Sequence, residues 1–192
     1  MADINTAKWQ LLPICTSLNG RSKSAPIVCQ NETVKVVLEP SHAPFGAGNF
    51  NKEETVRLNL DISCNESYLS FCEKVDQWAL KQLAKDTKMY FKKQLSEAEL
   101  KAAYRPCATP HTSQSGVSFP HTIRLKIMTS GPNQVRCWTK DREPRPLPED
   151  WRNCTITPQA TVKSIWLHNG QAGVLCECQD VIVVENDVSC PF

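Results

Sequence analysis

Residues 161–184 read TVKSIWLHNGQAGVLCECQDVIVV, two β-rich runs on either side of Asn169-Gly170. An Asn-Gly pair between two such runs is the strongest short-range signal of a β-hairpin, because both residues tolerate the positive φ angles of a tight turn. We therefore predict strands at residues 161–167 and 173–184, joined by this turn.

Upstream of the hairpin, the stretch TIRLKIM at residues 122–128 alternates apolar and basic side chains. Such alternation predicts a half-buried strand with one apolar and one cationic side. Comparable patterns predict strands at residues 26–39, 55–62 and 134–139. The turn sequence SGPN, residues 130–133, separates the last of these from TIRLKIM. If the two strands pair as neighbours, their exposed side chains share one sheet face.

The pattern changes between residues 66 and 105. Apolar residues recur every three or four positions from 66 to 86, which predicts an amphipathic helix. The sequence Ser96-Glu97-Ala98-Glu99 is a capping box and predicts the start of a second, short helix. Residues 40–49 are rich in Pro and Gly, and residues 140–153 contain three prolines, so both stretches are predicted to be loops.

The order of elements is thus two strands, a helical insert at about residues 66–105, and four further strands. Six short strands with one helical excursion suit an antiparallel barrel of the OB type, which removes exposed sheet edges by closure. A β-sandwich is the alternative. We expect a mainly β, OB-like single domain over residues 1–192, with a long loop at about 140–153.

Composition narrows the class of protein. The chain has 192 residues, of which 41% are hydrophobic and 22% charged, an ordinary globular balance. No apolar run reaches the ~18 residues of a membrane span, so we expect no membrane partner. The first ten residues lack the basic and apolar regions of a secretory signal. We therefore expect an intracellular protein that is not secreted.

The ten cysteines form no CxxC pair and no other zinc-type spacing. In an intracellular protein the simplest interpretation is that they are reduced thiols acting as small hydrophobic side chains. Structural disulfides and a zinc site that includes Cys176 and Cys178 are the alternatives.

The charge of the chain is unevenly distributed. Its formal net charge is only +2, yet residues 81–163 carry 15 Lys and Arg against seven Asp and Glu. The remaining residues carry seven basic and 13 acidic side chains. Such asymmetry indicates a basic working surface and a separate acidic region, although a solvated surface without a partner has the same signature.

Signatures of catalysis are missing from the sequence. It contains no GxSxG, P-loop, GxGxxG or HExxH motif, and its four histidines fall in or beside predicted loops. We therefore predict a protein that is not an enzyme, with no cofactor and no metal site.

The exposed side of the two neighbouring strands is the most informative surface. A cationic sheet face that carries an aromatic side chain is typical of single-stranded nucleic-acid binding, because cations follow the phosphates and aromatic rings stack on bases. Trp138 and Trp166 have an alternative role as core residues. The candidate nucleic-acid-binding residues are Arg124, Lys126, Arg136, Trp138, Lys140, Arg142, Arg145, Lys163 and Trp166.

The same pieces carry a family resemblance. FCEKVDQW at residues 71–78, YFKK at 90–93, FPHTIRLKI at 119–127 and SIWL at 164–167 followed by Gly173 occur in this order. In order and spacing, over about residues 55–184, they resemble the OB-fold single-stranded-DNA-binding proteins of large DNA viruses and tailed phages. The weakly acidic C-terminal residues and the many cysteines depart from that pattern.

The resemblance implies a protein that coats single-stranded DNA without base specificity during viral replication or recombination, in the nucleus or at a cytoplasmic site of replication. RNA binding, contacts with replication proteins and a homodimer are open possibilities. The alternative function is that of a structural adaptor, which binds other proteins through the loops at residues 40–49 and 140–153.

Overall fold

The computed structural model describes residues 4–17, 22–48, 56–112, 116 and 118–186. Its helices are α1 Glu66–Ala84, α2 Thr87–Phe91 and α3 Glu97–Ala103, and short 3-10 turns cover Thr6–Lys8 and Trp151–Asn153. Its strands are β1 Trp9–Leu11, β2 Cys15–Thr16, β3 Lys23–Cys29, β4 Glu32–Val37, β5 Ser41–His42, β6 Ala47–Gly48, β7 Arg57–Ser63, β8 Tyr104–Arg105, β9 Ala108–Thr112, β10 Ser118–Met128, β11 Arg136–Trp138, β12 Pro144–Arg145, β13 Cys154–His168 and β14 Gln171–Glu185.

The predicted hairpin is confirmed, and its two strands lie at the centre of the sheet. Strands β13 and β14 pair antiparallel from Cys154↔Glu185 to His168↔Gln171. Asn169 and Gly170 form the turn with φ angles of 48° and 74°, as a two-residue hairpin requires. Strand β13 has 15 residues instead of the predicted seven, because residues 154–160 are mostly small or polar and join the strand through pairing with β14. Strand β14 is only three residues longer than predicted.

The helical insert is also confirmed. Helix α1 begins after Asn65, whose side chain accepts a hydrogen bond from the Tyr68 N–H at 3.0 Å. The capping box of Ser96 and Glu99 starts α3 as predicted. The apolar stripe of α1 packs on the inner face of the sheet and buries Tyr68, Phe71, Cys72, Val75, Trp78, Ala79 and Leu83.

The segment at residues 26–39, predicted as one strand, is instead the hairpin β3–β4. Gln30 and Asn31 turn the chain with φ angles of 53° and 67°. Four polar residues, 30–33, separate the apolar residues of the two strands, but no Gly or Pro marks the turn in the sequence.

The sheet is mixed, and this corrects the expectation of an antiparallel barrel. Strands β8, β10 and β11 each run parallel to β14 because the chain returns from the helical insert in the same direction as the last strand. Along the ladder the order is β1-β3-β4-β13-β14-β10-β7-β6, and β5 also pairs with β13.

The hydrogen-bonded ladder of the described residues does not close into a barrel. Strand β5 has only two residues, and its contact with β7 is a side-chain bond, from Ser41 Oγ to the Ser63 carbonyl at 2.7 Å. The gap between β5 and β7 is therefore bridged by a hydroxyl group and not by paired backbone. Among the described residues, no helix is long and apolar enough to cross a membrane.

Candidate nucleic-acid interface

The outer face of β7, β10, β11, β13 and β14 carries most of the candidate residues. The alternation in TIRLKIM is confirmed, since Ile123, Leu125 and Ile127 are buried while Arg124 is exposed and Lys126 half-buried. Strand β10 holds this register through antiparallel pairing with β7, which places Arg124 opposite Asp61 and Lys126 opposite Asn59.

Strands β10 and β11 do not pair with each other, so the pairing on which their shared face was made conditional is not formed. Both pair with the same edge of β14, with Lys126 opposite Glu177 and Arg136 opposite Asp180. The Val135 N–H donates to the Met128 carbonyl at 2.8 Å, so residues 129–134 leave the sheet as a loop and the strand line resumes. The SGPN turn is present but forms this loop instead of a hairpin, because the free edge of β14 accepts both strands.

The two sets of candidate residues therefore follow each other along β14 on one face. Arg124 and Lys126 come first, and Arg136 and Trp138 follow. Lys163 and Trp166 lie on the same face of the neighbouring strand β13, which pairs with the other edge of β14. The structure thus brings together six of the nine predicted residues, although by a different strand arrangement.

Several of these cations are paired with carboxylates. Arg124 Nε and Nη2 donate to Asp61 at 2.8 and 3.0 Å, and Arg136 donates to Asp180 at 2.8 and 2.6 Å. Lys163 Nζ lies 3.5 Å from Glu177 Oε2. The face is therefore less cationic than its lysines and arginines alone indicate.

Trp138 belongs to one of these pairs and is not a core residue. The ring is half-buried, and its Nε1–H donates to Asp180 Oδ1 at 3.0 Å. Burial disfavours ionisation of Asp180, but the hydrogen bonds from Arg136 and Trp138 outweigh it and hold the pKa of this carboxyl below its usual range. The Trp138 ring is thereby held by its edge against the sheet.

Lys126 is a half-buried cation that lies close to two other cations on this face. Its pKa is lowered, first by burial and then by repulsion from Arg57 and Arg124, and Asp61 only partly offsets this. The side chain lines two adjoining depressions of about 380 and 320 Å³. The cost of keeping Lys126 charged falls when an anion comes near, so this position favours an anionic ligand.

Trp166 forms one wall of the larger depression, together with Arg124 and Lys126. The ring is half-buried, and it lies against the backbone of Gly173. A Cβ atom at Gly173 would lie 2.7 Å from Trp166 Cζ2 and 2.9 Å from Cε2. Only glycine leaves room for the ring in this position, where part of its surface stays open to solvent.

The candidates of the 140–153 loop lie outside these depressions. Lys140 and Arg142 are exposed, and Arg142 has a left-handed φ of 63°. Arg145 is half-buried in β12, where it donates to the Val183 carbonyl at 3.3 Å and forms an ion pair with Glu185. Arg145 therefore links β12 to the end of β14.

Sequence reasoning missed two cations, Arg57 and Arg105. Arg57 lines the smaller depression, and Arg105 lines the larger one and donates from Nε to Gln171 Oε1 at 3.3 Å. The alternation of apolar and polar residues in TVRLNLDI, residues 55–62, was sufficient to place Arg57 on the outer face. Arg105 had no such signal, because β8 is only two residues long.

The cysteines are mostly buried and are not joined by disulfides in the described residues. Burial raises the pKa of the Cys178 thiol to about 12, which disfavours the thiolate. Across the described ranges, no three His, Cys, Asp or Glu side chains come together as a metal-binding group.

No protein-family model and no curated protein matches this chain.

Proposed function

We propose that this protein binds single-stranded nucleic acid along the outer face of β7, β10, β11, β13 and β14. The observation that carries the proposal is Lys126, a half-buried cation repelled by Arg57 and Arg124 at the junction of two depressions. A phosphate backbone that crosses the two depressions would relieve the repulsion among Lys126, Arg57 and Arg124. The Trp166 ring is available for stacking on a base. In our proposal single-stranded DNA is the main ligand, during replication or recombination of a viral genome.

The architecture in this proposal is OB-like. The strand path β5-β13-β14-β10-β7 contains five strands, and the Ser41–Ser63 hydrogen bond lies between its two end strands. A five-stranded, partly open barrel that presents one face to an oligonucleotide is the OB arrangement. The helical insert between β7 and β10 is consistent with the family that the sequence resembles.

The ion pairs on this face do not argue against the proposal. The guanidinium side of each pair is open to solvent, since the Arg124 and Arg136 side chains are 45% and 64% exposed, so water and salt screen the attraction. A phosphate can therefore compete for Arg124 or Arg136 at modest cost. The carboxylates weaken affinity, and they limit how many cations act at once.

The test is anisotropy of labelled oligo(dT), about 16 nucleotides long, titrated at several salt concentrations. Single-strand binding through phosphates gives a linear fall of log affinity with log salt, with a slope near −0.7 per phosphate. We expect Lys126→Gln to weaken binding and to reduce the slope. Lys101→Gln on α3 removes the same charge from an exposed pair with Glu97 that lines neither depression, and it should leave the slope unchanged. Absence of binding at low salt would rule out the proposal.

The adaptor function is the second candidate, and one observation favours it. The two loops named for it are in contact, since a Cβ at Gly46 would lie 3.2 Å from Arg152 Cγ. Phe45 in the first loop is exposed over 55% of its surface. Protein binding through these loops would show little of the salt dependence expected for phosphate contacts.

A further inference from the structure

A second groove lies on another side of the molecule, between the N-terminal segment and the helical insert. It has a volume of about 850 Å³, and β1 forms one wall while α1 and α2 form the other. Trp9 of β1 anchors this arrangement, because its ring packs edge-on against Trp78 of α1 with centroids 5.4 Å apart. None of the candidate residues on the outer sheet face lines this groove.

The wall formed by β1 is an open sheet edge. Among the described strands, β1 pairs with β3 alone. The Leu12 N–H donates to the Pro26 carbonyl at 2.9 Å, and antiparallel bonds recur every second residue, so Gln10 is the next residue bonded to β3. The N–H and C=O of Leu11 consequently point away from β3. The Trp9 N–H already donates to the Thr6 carbonyl, so the open part of this edge is at Leu11, which also lines the groove.

The opposite wall is cationic. Lys74 and Lys81 of α1 and Lys85 at its C-cap line the groove, and Asp86 is the one carboxylate among the described lining residues. Asp86 is already occupied as the cap of α2, where it accepts a hydrogen bond from the Met89 N–H at 2.9 Å. From Lys74 to Lys85 the helix rises about 16 Å. This length corresponds to about five residues of a β-strand.

We propose that this groove binds an extended acidic peptide segment of a partner protein, which adds a strand to β1 and places its carboxylates against the lysines of α1. Strand addition to an exposed edge is a common mode of peptide recognition, in which backbone bonds give affinity and alternate side chains give specificity. This inference does not depend on the function proposed for the outer sheet face.

The two walls together favour a peptide over a nucleic acid. A strand edge spaces its N–H and C=O groups to match another peptide backbone, whereas nucleic acid has no such repeat. Side chains on one side of an added strand recur about every 6.7 Å. Lys81 and Lys85 are separated by about 6 Å along the helix axis, so successive acidic side chains of the peptide can each meet one lysine.

The experiment uses the full chain and a fluorescein-labelled peptide of alternating Thr and Glu, measured by anisotropy. The matched control peptide has Gln in place of every Glu. We expect the Glu peptide to bind and the Gln peptide to bind about tenfold more weakly, as lost ion pairs predict. N-methylation of every second residue along the bonding edge should abolish binding, because it removes the N–H groups that pair with β1.

Two variants locate the site. Lys81→Gln combined with Lys85→Gln should weaken the Glu peptide about tenfold and leave the Gln peptide unaffected. Leu11→Pro removes an N–H that does not bond to β3, so the β1–β3 pairing is kept while strand addition is blocked. Lys101→Gln with Lys93→Gln is the control of equal charge, and unchanged melting temperatures show that each variant is folded.

Three results would overturn the inference. The Glu and Gln peptides could bind equally, the Glu peptide could fail to bind up to about 1 mM, or the Leu11→Pro variant could bind it normally. If oligo(dT) instead loses affinity with the Lys81 and Lys85 substitutions while the Glu peptide does not bind, the groove is a nucleic-acid surface. That outcome also overturns the inference and leaves the test of the outer face intact.

Discussion

The Trp166 ring on β13 lies against Gly173 on β14, so closely that an added methyl group would come within 2.7 Å of it. The two residues are paired in the antiparallel ladder, Trp166↔Gly173. Across this pair, the absence of a side chain on one strand fixes the position of the aromatic ring on the other. The orientation of the proposed stacking platform thus depends on a residue that has no side chain.

Gly173→Ala tests this dependence. The new methyl group displaces the Trp166 ring, so we expect weaker oligo(dT) binding and a shift in tryptophan emission. Gly48→Ala is the matched control, because nothing lies within 4 Å of a Cβ at that position. Equal oligo(dT) affinity for the two variants would show that Trp166 does not stack in the position described.

Trp166→Ala and Trp151→Ala separate stacking from core packing. Loss of a stacked ring costs about 1–3 kcal/mol of binding, so Trp166→Ala should weaken binding with little change in the salt slope. Trp151 is buried, and its replacement opens a cavity that costs roughly 3–5 kcal/mol of folding stability. Denaturant unfolding and anisotropy are measured on both variants. Normal binding by folded Trp166→Ala would place the stacking elsewhere, with half-buried Phe91 as the next candidate.

The hairpin and the insert could be predicted because their signals are local. Asn169-Gly170 specifies a turn that few other residue pairs allow, and the three- and four-residue spacing of α1 belongs to one continuous segment. The β3–β4 hairpin was missed because Gln30 and Asn31 adopt positive φ without glycine. The pairing of β10 and β11, on which their shared face was made conditional, is not formed for a different reason. A turn sequence predicts that the chain changes direction, but the free edge of a distant strand decides which partner it then finds.

Only part of the candidate site could be predicted, because local alternation places side chains on a face but does not reveal partners that are distant in sequence. Alternation placed Arg124 and Lys126 on the outer face of the sheet. Asp61 and Asp180, which neutralise Arg124 and Arg136, lie far away in sequence and meet them only through sheet register. Their effect on the charge of the face could not be read from local sequence.

Asp61→Asn tests how strongly a carboxylate restrains this face. The change releases Arg124 and removes one negative charge, so we expect tighter oligo(dT) binding and a steeper salt dependence. The control is Glu97→Gln, which makes the same change of charge in the exposed pair with Lys101 on α3. If both variants gain equally, net charge alone is responsible and Arg124 has no special position.

Asp76→Ala tests the link between the helical insert and the sheet. Asp76 on α1 accepts hydrogen bonds from the Tyr104 hydroxyl at 2.7 Å and from the Cys107 N–H at 3.0 Å. Each buried donor left without an acceptor costs about 1–3 kcal/mol of unfolding free energy. Tyr104→Phe removes one donor together with its need for a partner and should cost less. Equal losses in urea unfolding would contradict this account.

Asp76 should also make the free energy of unfolding depend on pH. Burial raises the pKa of this carboxyl, and the hydrogen bonds from Cys107 and Tyr104 only partly oppose it. The folded state then holds the proton more tightly than the unfolded state, so this group stabilises the fold as pH falls through its folded pKa. Relative to Asp76→Asn, the native protein should gain unfolding free energy on acidification from neutral pH. A constant difference across that range would contradict the raised pKa.

The loop of residues 129–134 is a suitable place to insert a label or a tag. Its two ends, Met128 and Val135, are already joined by a backbone hydrogen bond of 2.8 Å, so the strand line does not depend on what lies between them. Ser130 to Gln134 are exposed. Tolerance of an inserted segment follows from exposure and from backbone bonds that the insertion leaves intact. A fluorescent label or an affinity tag placed here would report on the neighbouring face without altering the register of β10 or β11.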